Sequence, residues 1–191
     1  DRVHYADRLS KQGQHAQALE RVNRYLARNP SDAQGRFKKG LILAEQNKAA
    51  EAIEVFTRLS QDYPKLPEPH NNLAVLYASQ GQYEKARQQL EMSIRTDPRF
   101  ATAYENLGDV YTKLASQAYD KALQLDSSNS AAKNKLSLIR DLLMTSETLV
   151  PAVSSAPAGK TVEPPRPAAV ASTPKKSAEA KPAPGQAKPA A

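Results

Sequence analysis

The chain has 191 residues, a formal net charge of +7, 6% aromatic residues and no cysteine. Lack of cysteine excludes disulfides, a thiolate metal site and a cysteine nucleophile, and leaves the redox compartment open. No apolar run approaches the roughly 18 residues of a membrane-spanning helix, so membrane contact is not indicated.

Asp1 already lies within a helical pattern, so the true N-terminus and any targeting signal are expected upstream. Three units of 34 residues then follow, each closed by a proline: Pro30, Pro64 and Pro98. In the first unit Ala6, Leu9, Gly13, Ala18 and Val22 precede the proline. The same offsets recover Gly40, Leu43, Asn47, Ala52 and Phe56 in the second unit, and Ala74, Tyr77, Gly81, Ala86 and Leu90 in the third. A small residue lets two helix backbones approach, and the larger one beside it fills the groove. Gly13, Asn47 and Gly81 mark a turn between paired helices, because Gly and then Asn best tolerate the left-handed conformation of a helix C-cap.

The order small residue, aliphatic, Gly, Ala, aromatic, Pro at this period resembles the tetratricopeptide repeat, most fully in Asn72, Leu73, Ala74, Tyr77, Gly81, Tyr83 and Ala86. The resemblance covers residues 2–126. It implies an all-α superhelix of antiparallel helix pairs, with a concave groove lined by the first helix of each pair. The second unit departs from the pattern at Arg36 and Lys39, which suggests fraying there or long stems lying along the surface.

A fourth unit opens in register at Ala101, but Tyr119, Ala122 and Ser127 arrive five residues early. Leu107, Tyr111, Leu114, Ala118, Ala122 and Leu125 fall at steps of three and four, so the spacing predicts one long helix rather than a tight hairpin. After the polar Ser127, Ser128 and Asn129, the stripe Leu136, Ile139, Leu142 and Leu143 predicts a capping helix. The architecture is thus three regular helix pairs, a shortened fourth unit and a cap over residues 1–145. Residues 146–191 lack aromatics and are dominated by Pro, Ala and Lys, which predicts a disordered tail. Six basic and three acidic side chains give the tail +3, leaving +4 for the body.

Catalysis finds little support. His4, His15 and His70 lie in separate units, no phosphate-cradling glycine loop exists, and neither Ser-x-x-Lys string, at Ser130 and Ser172, has a rigid pocket. No cofactor, metal, small-molecule substrate or specific nucleic acid is expected.

The candidate partner-binding residues are Phe37, Leu41, Asn71, Asn72, Val75, Glu105, Asn106 and Asp109. The resemblance places Asn72 and Asn106 on the groove, where amides can grip the main chain of an extended peptide; a solvated or capping role stays open. Phe37, Leu41 and Val75 suit either an apolar anchor site or packing between repeats. Asp7, Glu45, Glu105 and Asp109 make the ends acidic. Chaperone-binding members of the family hold a terminal carboxylate in a basic clamp, but Val3, Asp7, Phe37 and Asn71 occupy the corresponding positions, which argues against that ligand.

The expected function is a non-enzymatic scaffold that takes a protein or peptide segment. Two alternatives are the non-catalytic targeting arm of a cell-envelope enzyme and polyanion binding by the basic tail. Ala/Pro/Lys spacers resemble those of bacterial envelope proteins, pointing to the periplasm or envelope, with the cytoplasm as the alternative location.

Overall fold

The computed structural model describes Ala6, Ser10 and residues 13–145. The readings of residues 146–191, and of His4, Asp7 and Leu9, lie outside that set. Ala6 and Ser10 are helical. Seven helices follow: α1 (His15–Leu26), α2 (Ala33–Glu45), α3 (Ala49–Asp62), α4 (Glu68–Ser79), α5 (Tyr83–Thr96), α6 (Ala101–Leu125) and α7 (Ser130–Thr145). Each helix packs on the next in sequence, and α4 also meets α6 directly. This is a helical-repeat solenoid, as the 34-residue period predicts.

Local chemistry explains the turns. Gly13, Asn47 and Gly81 all take positive φ, at 74°, 58° and 73°. That conformation lets Lys48 N–H reach back to the Leu43 carbonyl and Gln82 N–H to that of Tyr77, each at 2.9 Å, closing the ends of α2 and α4. At the start of α2, the Asp32 carboxylate accepts from Gly35 N–H at 2.9 Å.

The small positions hold the pairs together. Ala6, Ala18, Ala52, Ala74 and Ala86 are all at most 1% exposed, as are Val22, Phe56 and Leu90 opposite them. At Gly40 the approach is closest, since a Cβ there would stand 2.6 Å from Phe56 Cζ. The large ring at Phe56 is accommodated because its neighbour has no side chain. The ring also meets Phe37 edge-on, with centroids 5.5 Å apart.

Arg36 resolves the departure in the second unit in favour of a long stem. Its guanidinium pairs with Asp62 at 2.6 Å and lies over the Tyr63 ring at 5.9 Å. It thereby covers the apolar ground that an aromatic side chain would take.

The fourth unit is one uninterrupted helix of 25 residues, with Ala103, Asn106 and Val110 buried. After the turn at residues 126–129, α7 runs back along α6. Arg140 pairs with Asp120 at 3.1 Å, Lys135 lies over Tyr119 at 5.7 Å, and Ala132 and Leu136 are buried.

Candidate partner-binding groove

The first helices of successive pairs, α2, α4 and the N-terminal half of α6, carry two rows of candidate residues at the repeat spacing. Phe37, Asn71 and Glu105 form one row; Leu41, Val75 and Asp109 form the other. Burial divides them. Phe37, Leu41, Asn71, Asn72 and Asn106 are between 1% and 6% exposed. Val75 and Asp109 are half-buried and Glu105 is exposed.

Phe37 and Leu41 belong to the apolar cluster that also holds Phe56, Leu59, Leu73 and Leu76, so they pack between repeats. Asn106 Nδ2 donates to Asn71 Oδ1 at 2.9 Å in a buried setting. These two amides therefore join α4 to α6. A neutral hydrogen bond of this kind adds about 1 kcal/mol, and losing one partner costs more because the other is left buried and unpaired. No repeat offset points to this joint: its partners stand 35 residues apart, one off the repeat period.

Of the candidates, those left at least partly accessible are thus Val75, Glu105 and Asp109. Burial, and then the neighbouring Glu105, push the Asp109 carboxyl above its ordinary range, while Lys113 draws it back. A cation brought between the two carboxylates would relieve that repulsion. Glu45, read as part of the acidic rim, is engaged otherwise: Ser10 Oγ donates to its carboxylate, and His15 Nδ1 lies 3.1 Å from the same oxygen. Ser10 Oγ also lies 3.1 Å from His15 Nδ1. Hydroxyl and carboxylate thus meet one and the same imidazole nitrogen, so the histidine does not stand between them as a catalytic relay requires. The trio ties the first unit to the second.

Sequence reasoning also missed Glu68, whose Oε2 is buried without a hydrogen-bond partner. Desolvation raises its pKa, its own backbone N–H lowers it, and Asp97 raises it further. Among the described residues no group of three or more His, Asp or Glu is placed to hold a metal ion, and no helix is long and apolar enough to cross a membrane.

A family model described as tetratricopeptide repeat matches residues 6–67, and a second of the same description matches residues 43–108. The chain is a tetratricopeptide repeat protein. Its tetratricopeptide array is 31% identical over 96 residues to the chloroplastic tetratricopeptide repeat domain-containing protein PYG7 of Arabidopsis thaliana, which covers 48% of this chain and 31% of the relative. It is 29% identical over 94 residues to the heat-shock protein cognate co-chaperone sgt12 of Aspergillus fumigatus, covering 47% and 28% respectively. The chain thus spans about a third of the length of these curated relatives.

Solved structures share the tetratricopeptide solenoid. The thermophilic tetratricopeptide protein TTC0263 of Thermus thermophilus is 20% identical, with 74% of this chain and 80% of that one covered and a TM-score of 0.54. MamA from residue 41 onward, of Desulfovibrio magneticus RS-1, is 18% identical, with 76% and 94% covered and a TM-score of 0.54. At these identities the likeness is one of fold.

Proposed function

We propose that this protein is a non-enzymatic scaffold whose groove holds a segment of a protein partner through an apolar contact at Val75 and a basic side chain between Glu105 and Asp109. The observation that carries this reading is the neighbouring carboxylates of exposed Glu105 and half-buried Asp109, one repeat on from half-buried Val75, with the Asn71–Asn106 hydrogen bond joining their helices. Preorganised first helices spare the ligand part of the ordering cost of binding. Tetratricopeptide membership supports a protein-binding role, and the co-chaperone relative supports a protein as partner. The acidic rim favours an internal basic segment over a free carboxylate terminus. Asn72 and Asn106 would then serve the groove mainly by shaping it, since both are nearly buried. The Pro/Ala/Lys-rich composition of residues 146–191 supports a spacer in the cell envelope as the place of action.

The test is fluorescence anisotropy of the full chain with labelled peptides that carry a large apolar residue next to Arg or Lys. Binding should weaken about tenfold in a Glu105→Gln, Asp109→Asn chain and similarly in Val75→Asp, the loss of about 1.4 kcal/mol expected for one charge-assisted contact. Affinity equal across these variants would remove the groove from the reading. Binding that survives them yet collapses with salt would transfer the function to the basic tail.

A further inference from the structure

The small residue of each first helix seats a second helix: Ala6 faces Val22, Gly40 faces Phe56 and Ala74 faces Leu90 within their respective clusters. The equivalent in the fourth unit is Gly108. A Cβ there would meet nothing within 4 Å. The turn that would bring a second helix back is missing, and α6 runs straight on. The seat is left open, flanked by Tyr104 at 50% exposure and Tyr111 at 49%.

Tyr104, Gly108, Tyr111, Ala115, Tyr119 and Ala122 follow steps of four and three, so they form one continuous face of α6. Its C-terminal half is where α7 lies, with Lys135 over Tyr119, and there Ala115, Tyr119 and Ala122 are half-buried. A 16-residue helix covers about 24 Å of the roughly 37 Å that 25 residues span. The uncovered length is about 13 Å, which is the Tyr104 to Gly108 end.

We propose that residues 147–153 of this same chain occupy the open seat, completing the cap that α7 begins. Three facts select this occupant. First, α7 follows α6 after a four-residue turn and packs on it, with Arg140 beside Asp120, so the chain must run back along α6 and leaves Thr145 on the side of its N-terminal half. Second, the eight residues 146–153 reach about 26 Å extended, enough to cross the uncovered length, which the roughly 12 Å they would span as a helix is not. Third, the five Leu and Val residues after Thr145 are unevenly spread: Leu149, Val150 and Val153 fall within this short stretch, and only Val162 and Val170 lie beyond it. Pro151 limits any helical continuation of α7 to its first residues. The two tyrosine rings offer apolar faces to Leu149 and Val150, with Gly108 giving the depth between them.

Because the chain has no cysteine, a single engineered pair reports the contact. The full chain carrying Gly108→Cys with Val150→Cys is compared in a glutathione redox buffer with one carrying Gly108→Cys and Ala168→Cys. Docking predicts an intramolecular disulfide in the first chain, formed about tenfold faster than in the second, whose partner has only tethered encounters. Equal rates overturn the proposal. A predominance of disulfide-linked dimers overturns it too, assigning the seat to a second copy. In chains without cysteine, Leu149→Asp with Val150→Asp should speed amide exchange across residues 101–111 about tenfold by hydrogen-exchange mass spectrometry. Unchanged exchange there also overturns the proposal.

Discussion

Gly40→Ala isolates the cost of the closest helix approach in the molecule. Alanine is favoured over glycine inside a helix by about 1 kcal/mol, so α2 alone would gain from the change. Against this, the new Cβ would stand 2.6, 2.7 and 3.0 Å from three atoms of the Phe56 ring. The ring cannot retreat freely, because it is 1% exposed and braced edge-on by Phe37 at 5.5 Å. Overpacking of this kind costs about 2–3 kcal/mol, leaving a net loss of about 1–2 kcal/mol. By urea unfolding the variant should lose that amount, and by calorimetry its Tm should fall by about 5 °C. The third unit supplies the rescue, since Ala74 and Leu90 share a fully buried cluster at the same repeat positions. In a Phe56→Leu background, Gly40→Ala should therefore become neutral or slightly stabilising, a coupling of about 2 kcal/mol. A stabilising Gly40→Ala in the parent, or a coupling below about 0.5 kcal/mol, would refute steric crowding as the reason for glycine.

At the same repeat position in the fourth unit, Gly108→Ala should have the opposite sign in a Leu149→Asp, Val150→Asp background that keeps the seat open, gaining up to about 1 kcal/mol in urea unfolding because its Cβ meets nothing within 4 Å. Asn106→Ala should cost about 1–3 kcal/mol by leaving Asn71 Oδ1 buried without its donor, and Asn71→Ala in the same chain should recover part of that loss. Glu68 holds its proton more tightly folded than unfolded, so its ionisation lowers stability as pH rises from the ordinary value of 4.5 through the raised folded value. Glu68→Gln should accordingly exceed the parent in stability at pH 7, with the advantage fading below the ordinary glutamate range when urea midpoints are followed against pH. An advantage independent of pH would show that the substitution acts through packing.

What the sequence made legible is what repeats. Each turn residue, Gly13, Asn47 or Gly81, takes the same left-handed conformation because each must reverse the chain over the same short span. Prolines at the same period stop the second helices, and the loss of five residues from the fourth unit removed its turn and fused its helices, as the spacing of Tyr119 and Ala122 predicts. Depth was harder to read. The offsets name the face on which Phe37, Leu41 and Asn71 stand but not how far neighbouring side chains close over it. For Phe37 and Leu41 that depends on Phe56, whose place is taken by Val22 in the first unit and Leu90 in the third. Contacts between units are also out of phase with the repeat: Asn71 reaches Asn106, and Ser10 and His15 both reach Glu45. Alignment by period compares like positions and passes over bonds between unlike ones. The same limit explains Arg36, whose stem replaces an aromatic ring only because Asp62 and Tyr63 end the adjacent helix beside it. In a repeat array, then, the period fixes the path of the chain, while the joints between units and the surface left for a partner are set by the residues that break it.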